Sequence, residues 1–283
     1  MLALTTACTA AACAAPGDAP LQRLLEANTL AADLRVQFTH AADASNRAVM
    51  ADTDETSVAF AREADQATQA VQKDGAALRA VLTALRYSDE LRLLDEFDRR
   101  LADYRALDRN VLDLAVENTN LKAQRLSFGA AQDAADAFRQ SLDALAPASQ
   151  ADAWRVKALA ASSVGAIREI QALQAPHIAE SDEAAMTRIE TRMTAAESAA
   201  RDGVKMLTAL TAPASRPQLA AASAALDRFM GVNAQVLALS RRNTNVRSLA
   251  LSLGQKRALT AMCEDSLRAL QDALGKRDFS ATR

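Results

Sequence analysis

Eight polar residues fall at core-facing or near-core positions of an otherwise apolar helical pattern: Ser45, Asn46 and Arg47, then Asp108, then Gln124 and Arg125, and finally Asn233 and Arg247. A buried polar group needs a partner. An arginine with Asn and Ser neighbours presents charge-assisted donors to a small anion or an amino-acid-like molecule lodged between helices. These eight are therefore the candidate ligand-binding residues. The same set also reads as a register-fixing polar layer, or as positions that face solvent, and both readings stand at this level.

Other chemistry finds little support. The two histidines, His40 and His177, have no His or Cys at ligand spacing and read as surface or helix-end residues, so no metal or haem site is expected. Met50 near Asp52 and Met193 near Glu190 read as core filler rather than a cofactor box. There is no Gly-rich phosphate loop or nucleophile elbow. No catalytic residue, cofactor or enzymatic activity is expected. Of the three cysteines, Cys8 and Cys13 lie in the N-terminal segment and Cys263 sits at an apolar helical position, which fits a buried, inert thiol better than a disulfide framework. With 33 basic and 35 acidic residues spread along the chain, the net charge of −2 leaves no basic stripe for nucleic acid.

The elements that must position these residues are helices. Half of the 283 residues are hydrophobic, only 4% are aromatic, and there are just 8 Gly and 6 Pro in an Ala- and Leu-rich background. Apolar periodicity and turn signals divide the chain into eight segments, near 19–52, 55–86, 88–117, 120–146, 149–178, 181–211, 215–242 and 245–274. Asp54-Glu55, Asp89-Glu90 and Asp182-Glu183 supply acidic first turns, and Pro147, Pro213 and Pro217 break the pattern.

The eight segments are two sets of four. Asn118-Thr119-Asn120 recurs as Asn243-Thr244-Asn245, an offset of 125, and aligning 101–145 with 226–270 at that offset gives 14 identities in 45. In the first halves the offset is 128, where Lys73-Asp74-Gly75 meets Arg201-Asp202-Gly203. The expected fold is all-α: two tandem antiparallel up-down four-helix bundles of eight helices, 19–147 and 148–275, with a truncated signal-like or disordered N-terminus at 1–18 and a tail at 276–283. Each Asn-Thr-Asn would be the corner between third and fourth helices, with Asn118 and Asn243 in the left-handed conformation and Thr119, Asn120, Thr244 or Asn245 capping the next helix.

Within this frame, Phe97, Leu101, Tyr104, Asp108, Val111, Ala115 and Asn118 make a 4-3 seam that continues as Leu121, Gln124, Phe128, Ala131, Ala135, Phe138, Leu142 and Leu145. On the second helix Gly75, matched by Gly203, suggests close helix approach or space for something.

The stretch LRVQFTHAADASNRAVMADTDE followed by FAREADQATQAVQKDGAALRAVL resembles the opening hairpin of the four-helix-bundle sensor domains of methyl-accepting chemotaxis receptors, and VLALSRRNTNVRSLALSLGQKRALTAMCEDSLRALQDAL resembles their third-to-fourth helix passage. The likeness covers about 30–145 and again 155–272. Those receptors continue into a membrane span and a signalling coiled coil, and with 276–283 as its tail this sequence is expected to be either a free or lipid-tethered bundle or a fragment of a longer receptor. The resemblance implies a non-enzymatic sensor-like module for signal transduction, binding a small molecule or a partner protein such as a membrane receptor. The alternative is a structural bundle, in lipoprotein form or not, that self-associates as a homodimer without a ligand. The apolar start with Ala12-Cys13-Ala14 resembles the end of an export signal, or a degenerate lipoprotein box at Cys8 or Cys13, placing the protein in the periplasm, free or lipid-anchored.

Overall fold

The computed structural model describes residues 18–281, with side chains for 20–277. The expected export or lipoprotein signal lies outside the described residues. The described chain is all-α: α1 (Asp18–Met50), α2 (Asp54–Leu85), α3 (Ser88–Glu117), α4 (Thr119–Leu126), α5 (Gln132–Asp143), α6 (Ala153–Ala179), α7 (Glu183–Leu210), α8 (Arg216–Arg242), α9 (Thr244–Leu251) and α10 (Arg257–Ala281). Five-residue π-helical turns, Ser127–Ala131 and Ser252–Lys256, join α4 to α5 and α9 to α10 without a break. One residue alone separates α3 from α4 and α8 from α9. Read through these points, 88–143 and 216–281 are each a single interrupted helix, and the described chain has six helices where eight were expected. α10 also runs past the expected end of the last helix, to Ala281.

The described residues form two compact units that differ from the expected halves: unit 1 holds 18–46, 60–108 and 254–281, and unit 2 holds 47–59 and 109–253. Their cores explain the partition. Leu24, Leu34 and Phe38 of α1, Val71, Leu78 and Leu82 of α2, Leu94, Phe97, Leu101 and Tyr104 of α3 pack with Cys263, Leu267, Leu270 and Leu274 of α10. Phe138 and Leu142 of α5 pack instead with Val156, Ile167 and Ile170 of α6, Met193 and Leu207 of α7, and Leu226 and Phe229 of α8. Each core thus takes its fourth helix from the other sequence repeat. In unit 1, hydrogen bonds add to this apolar contact: Arg100 Nη1 donates to Met262 O at 2.7 Å and Arg277 Nε to the buried Glu90 Oε1 at 2.8 Å.

The local cause is the Asn-Thr-Asn phrase. Asn118 (φ 51°, ψ 40°) and Asn243 (φ 54°, ψ 38°) are left-handed, as the sequence suggests. A single such residue ends one helix and restarts the next at once, leaving none of the two to five residues that an antiparallel helical hairpin needs. The expected self-capping is replaced by reciprocal capping within unit 2. Thr119 N–H donates to Thr244 Oγ1 and Thr244 N–H to Thr119 Oγ1, both at 3.1 Å. Asn120 N–H donates to Asn245 Oδ1 and Asn245 N–H to Asn120 Oδ1, again at 3.1 Å. The amides continue the exchange, Asn120 Nδ2 to Asn243 Oδ1 at 2.8 Å and Asn245 Nδ2 to Asn118 Oδ1 at 2.9 Å. Orphan N–H groups at two helix starts are satisfied by each other's side chains. Glu117 and Arg242, separated by the same offset of 125, form an ion pair.

The expectation of close approach at the paired glycines holds at one of them. A Cβ on Gly203 would lie 2.0 Å from Ser163 Oγ, whereas one on Gly75 would meet nothing nearer than Asp98 Oδ1 at 3.9 Å.

Candidate functional site: a buried ammonium cluster in unit 1

Three of the eight candidate residues converge. Ser45 Oγ, on α1, donates to Asp108 Oδ1 of α3 at 2.5 Å. Both meet Lys256, which the sequence reading did not single out. Lys256 Nζ donates to Ser45 Oγ and, at 3.1 Å, to Asn46 Oδ1, and it forms a 3.1 Å ion pair with Asp108 Oδ1. Lys256 is 1% and Asp108 4% exposed, while Asn46 is exposed and marks the solvent edge of the cluster.

The electrostatics follow from burial. Loss of water pushes the Lys256 ammonium below the ordinary lysine value, and the charge and hydrogen bond of Asp108 oppose that shift. One turn before Asp108 on α3, Tyr104 is wholly buried and its hydroxyl has no hydrogen-bond partner. Burial pushes that hydroxyl up, and the nearby Asp108 charge adds to the shift. Cys263, the expected inert thiol, is wholly buried and pushed up to about 12 by the same desolvation.

The π-helical turn is what aims Lys256. A π turn holds one more residue than an α turn and displaces the register of everything after it by about 100°. The buried positions of α4 are Thr119, Asn120 and Ala123, with Ser127 and Ala131 on the turn. The expected seam over Leu121, Gln124 and Phe128 runs one residue out of step, and Phe128 is 75% exposed. In the second repeat Ser248 and Ser252 precede Lys256 on the same buried line.

The remaining candidates are dispersed within unit 2. Asn233, 2% exposed, belongs to a neutral polar layer in which Ser127 Oγ donates to Gln174 Oε1 at 2.6 Å and Gln174 Nε2 to Asn233 Oδ1 at 2.8 Å. This layer is the repeat equivalent of the ammonium cluster: Asn233 corresponds to Asp108, Gln174 to Asn46, and Ala131 to Lys256. Arg125 is turned to the surface and pairs with Asp54 at 3.2 Å, Arg47 is half-buried, and Gln124 and Arg247 are exposed. The structure therefore does not bring Arg47, Arg125 and Arg247 together with Ser45, Asn46 and Asp108.

A second buried network was missed by the sequence reading, which took His177 for a surface or helix-end residue. It ends α6 but is wholly buried, with Nδ1 2.8 Å from Ser240 Oγ and Nε2 2.8 Å from Glu190 Oε1. Arg241 holds Glu190 at 2.8 Å, and this bond, ahead of the one to His177, keeps the Glu190 carboxyl below the usual carboxylate range. The Asn-Thr-Asn amides complete the network: Asn120 Nδ2 donates to Ile178 O at 2.6 Å and Asn243 Nδ2 to Glu180 O at 2.7 Å, closing the end of α6.

These features define an all-α module whose cores are built from four helices and carry buried polar layers. The sequence matches the family described as a four helix bundle sensory module for signal transduction over residues 20–164, just over half of the 283 residues. The chain belongs to that family. No curated protein and no solved structure matches it. Among the described residues no helix is long and apolar enough to cross a membrane.

Proposed function

We propose that this chain is a non-enzymatic, extracytoplasmic input module for signal transduction that binds a small solute in the core of unit 1, and that its second repeat is a diverged copy of the same sensory module. The observation that carries the reading is the buried Lys256–Asp108 pair with Ser45 and Asn46 inside a sensory-family bundle. A bundle needs no ion pair for stability, since well-packed apolar residues serve as well or better. A charged layer open at Asn46 is the arrangement that a solute with its own charge would engage. The class that fits is amino-acid-like, carrying an ammonium for the oxygens of Ser45, Asn46 and Asp108. A free anion would have to displace Asp108 from Lys256.

The test is a thermal-shift screen of the purified chain with amino acids, primary amines, organic acids and nitrogen oxyanions. A bound solute raises apparent stability by mass action, about 2.7 kcal/mol at a hundred times Kd. Saturable stabilisation by one class supports the reading, and no shift with any class sinks it.

A scaffold reading has one observation of its own. Trp154 and Met206, 70% and 50% exposed, line with Leu159 and Leu210 a groove of about 600 Å³ between α6 and α7. Concentration-dependent self-association, lost in Trp154→Ala and insensitive to every solute, would favour it.

A further inference from the structure

The geometry points to a primary-ammonium site in the core of unit 1, formed by Ser45 Oγ, Asn46 Oδ1 and Asp108 Oδ1 and filled in this structure by Lys256 as a tethered ligand. The inference rests on the proposed solute site and names the chemistry it selects.

Three acceptors face one ammonium that has three N–H groups, at 2.5 Å for Ser45 and 3.1 Å for each of Asn46 and Asp108. Two of the acceptors come from α1 and one from α3, and Ser45 and Asp108 are held to each other without the lysine, because Ser45 Oγ donates to Asp108 Oδ1. The cage thus exists on the α1 and α3 side, and Lys256 enters it from the π turn Ser252–Lys256. The wholly buried Tyr104 hydroxyl, without a hydrogen-bond partner and within the field of Asp108, is a further polar group on this wall. The one acid of the cage makes it selective for cations, and its three directed oxygens require N–H donors rather than charge alone.

The other core supplies an internal contrast. There Asp108 is replaced by Asn233 and Lys256 by Ala131, and the amide of Gln174 spans to Asn233 directly at 2.8 Å. That layer is closed and neutral, so ammonium recognition belongs to unit 1. A free primary amine and the tethered lysine compete for the same three oxygens.

Chemical rescue tests the cage directly. Lys256→Ala removes the propylamine portion of the side chain and leaves its space. The expected result is a lowered Tm for K256A that n-propylammonium restores saturably. Tetramethylammonium, which has charge but no N–H, and propionate should do nothing. The control is Asp108→Asn/Lys256→Ala, which lacks both charges and should not respond. Equal responses of K256A and the double variant, or rescue by tetramethylammonium, would overturn the site. So would a K256A chain that stays unfolded in propylammonium while the double variant folds, or a folded K256A with no saturable response. A wild-type chain that binds no solute while K256A is rescued would refute the sensory reading and leave the cage standing.

Discussion

Replacing Lys256 by Met should be among the most damaging single changes in unit 1. The ammonium is 1% exposed and its partner Asp108 4%, so the variant strands a carboxylate in the core with only the Ser45 hydroxyl as donor among the contacts of the cluster. Removing one member of a buried pair costs about 3–5 kcal/mol, because the cost is that of the charge left behind rather than the attraction lost. Replacing both members should cost far less, since the desolvation penalty of the pair leaves with it. We therefore expect K256M to lose about 3–5 kcal/mol and Asp108→Asn/Lys256→Met to recover most of it, about 2–3 kcal/mol. Urea denaturation followed by circular dichroism at pH 7 measures both, with the two compact units allowed separate transitions. A K256M midpoint and slope equal to wild type, or a double variant as weak as the single, would refute the claim that these residues form a buried charge pair.

Further outcomes follow from the same contacts. The Cys263 thiol, pushed up to about 12 by burial, holds its proton in the fold when the unfolded thiol loses it. Its contribution is intact below about pH 9 and is lost as pH rises from there toward 12, at up to about 1.4 kcal/mol per pH unit. Comparing Cys263→Ala with wild type isolates that slope from Tyr104, which acts in the same direction, and from Lys256, whose lowered value makes stability rise with pH. Gly203→Ala should destabilise by about 1–3 kcal/mol through collision with Ser163, and Gly203→Ala/Ser163→Ala should recover much of it. Gly75→Ala, whose Cβ would make only ordinary contacts with Asp98 at 3.9 Å and Leu34 at 4.0 Å, should stabilise by about 0.5–1 kcal/mol. A cycle of Thr119→Val and Thr244→Val should give a coupling of about 0.5–1.5 kcal/mol, since each hydroxyl caps the other's backbone; additivity would mean that the reciprocal capping contributes nothing.

Much of the helical architecture was legible in residue spacing. The seam from Phe97 through Asp108 to Asn118 is buried at each of its named positions, because a regular α-helix keeps its period. The seam failed at Leu121, Gln124 and Phe128, between the left-handed Asn118, which puts the line one residue out of step, and the π turn, which brings it back at Ala131, and no residue type announces such a turn. The fourth-helix exchange was illegible for a related reason. Asn-Thr-Asn specifies left-handed backbone at Asn118 and Asn243, but whether a chain then reverses or continues depends on contacts 125 residues away. Ser45, Asn46 and Asp108 were found as polar residues on apolar faces. Lys256 carried a signal that went unused: it aligns with Ala131, a core position of the other repeat, so a lysine there must be exposed or paired with a buried acid. His177 was rightly read as a helix-end residue, but its burial was not legible because its partners Glu190 and Ser240 lie on two other helices, 13 and 63 residues away.

The most direct test of the account is the side-chain ammonium of Lys256 itself, observed by nitrogen-detected NMR. The chain has six lysines, and the resonance that disappears in K256M identifies the buried one. The account predicts a hydrogen-bonded ammonium that exchanges slowly with water, titrates below the ordinary lysine value, and moves when a solute that stabilises the protein is added. A Lys256 signal in fast exchange with water, or one unmoved by a saturating stabilising solute, would contradict it.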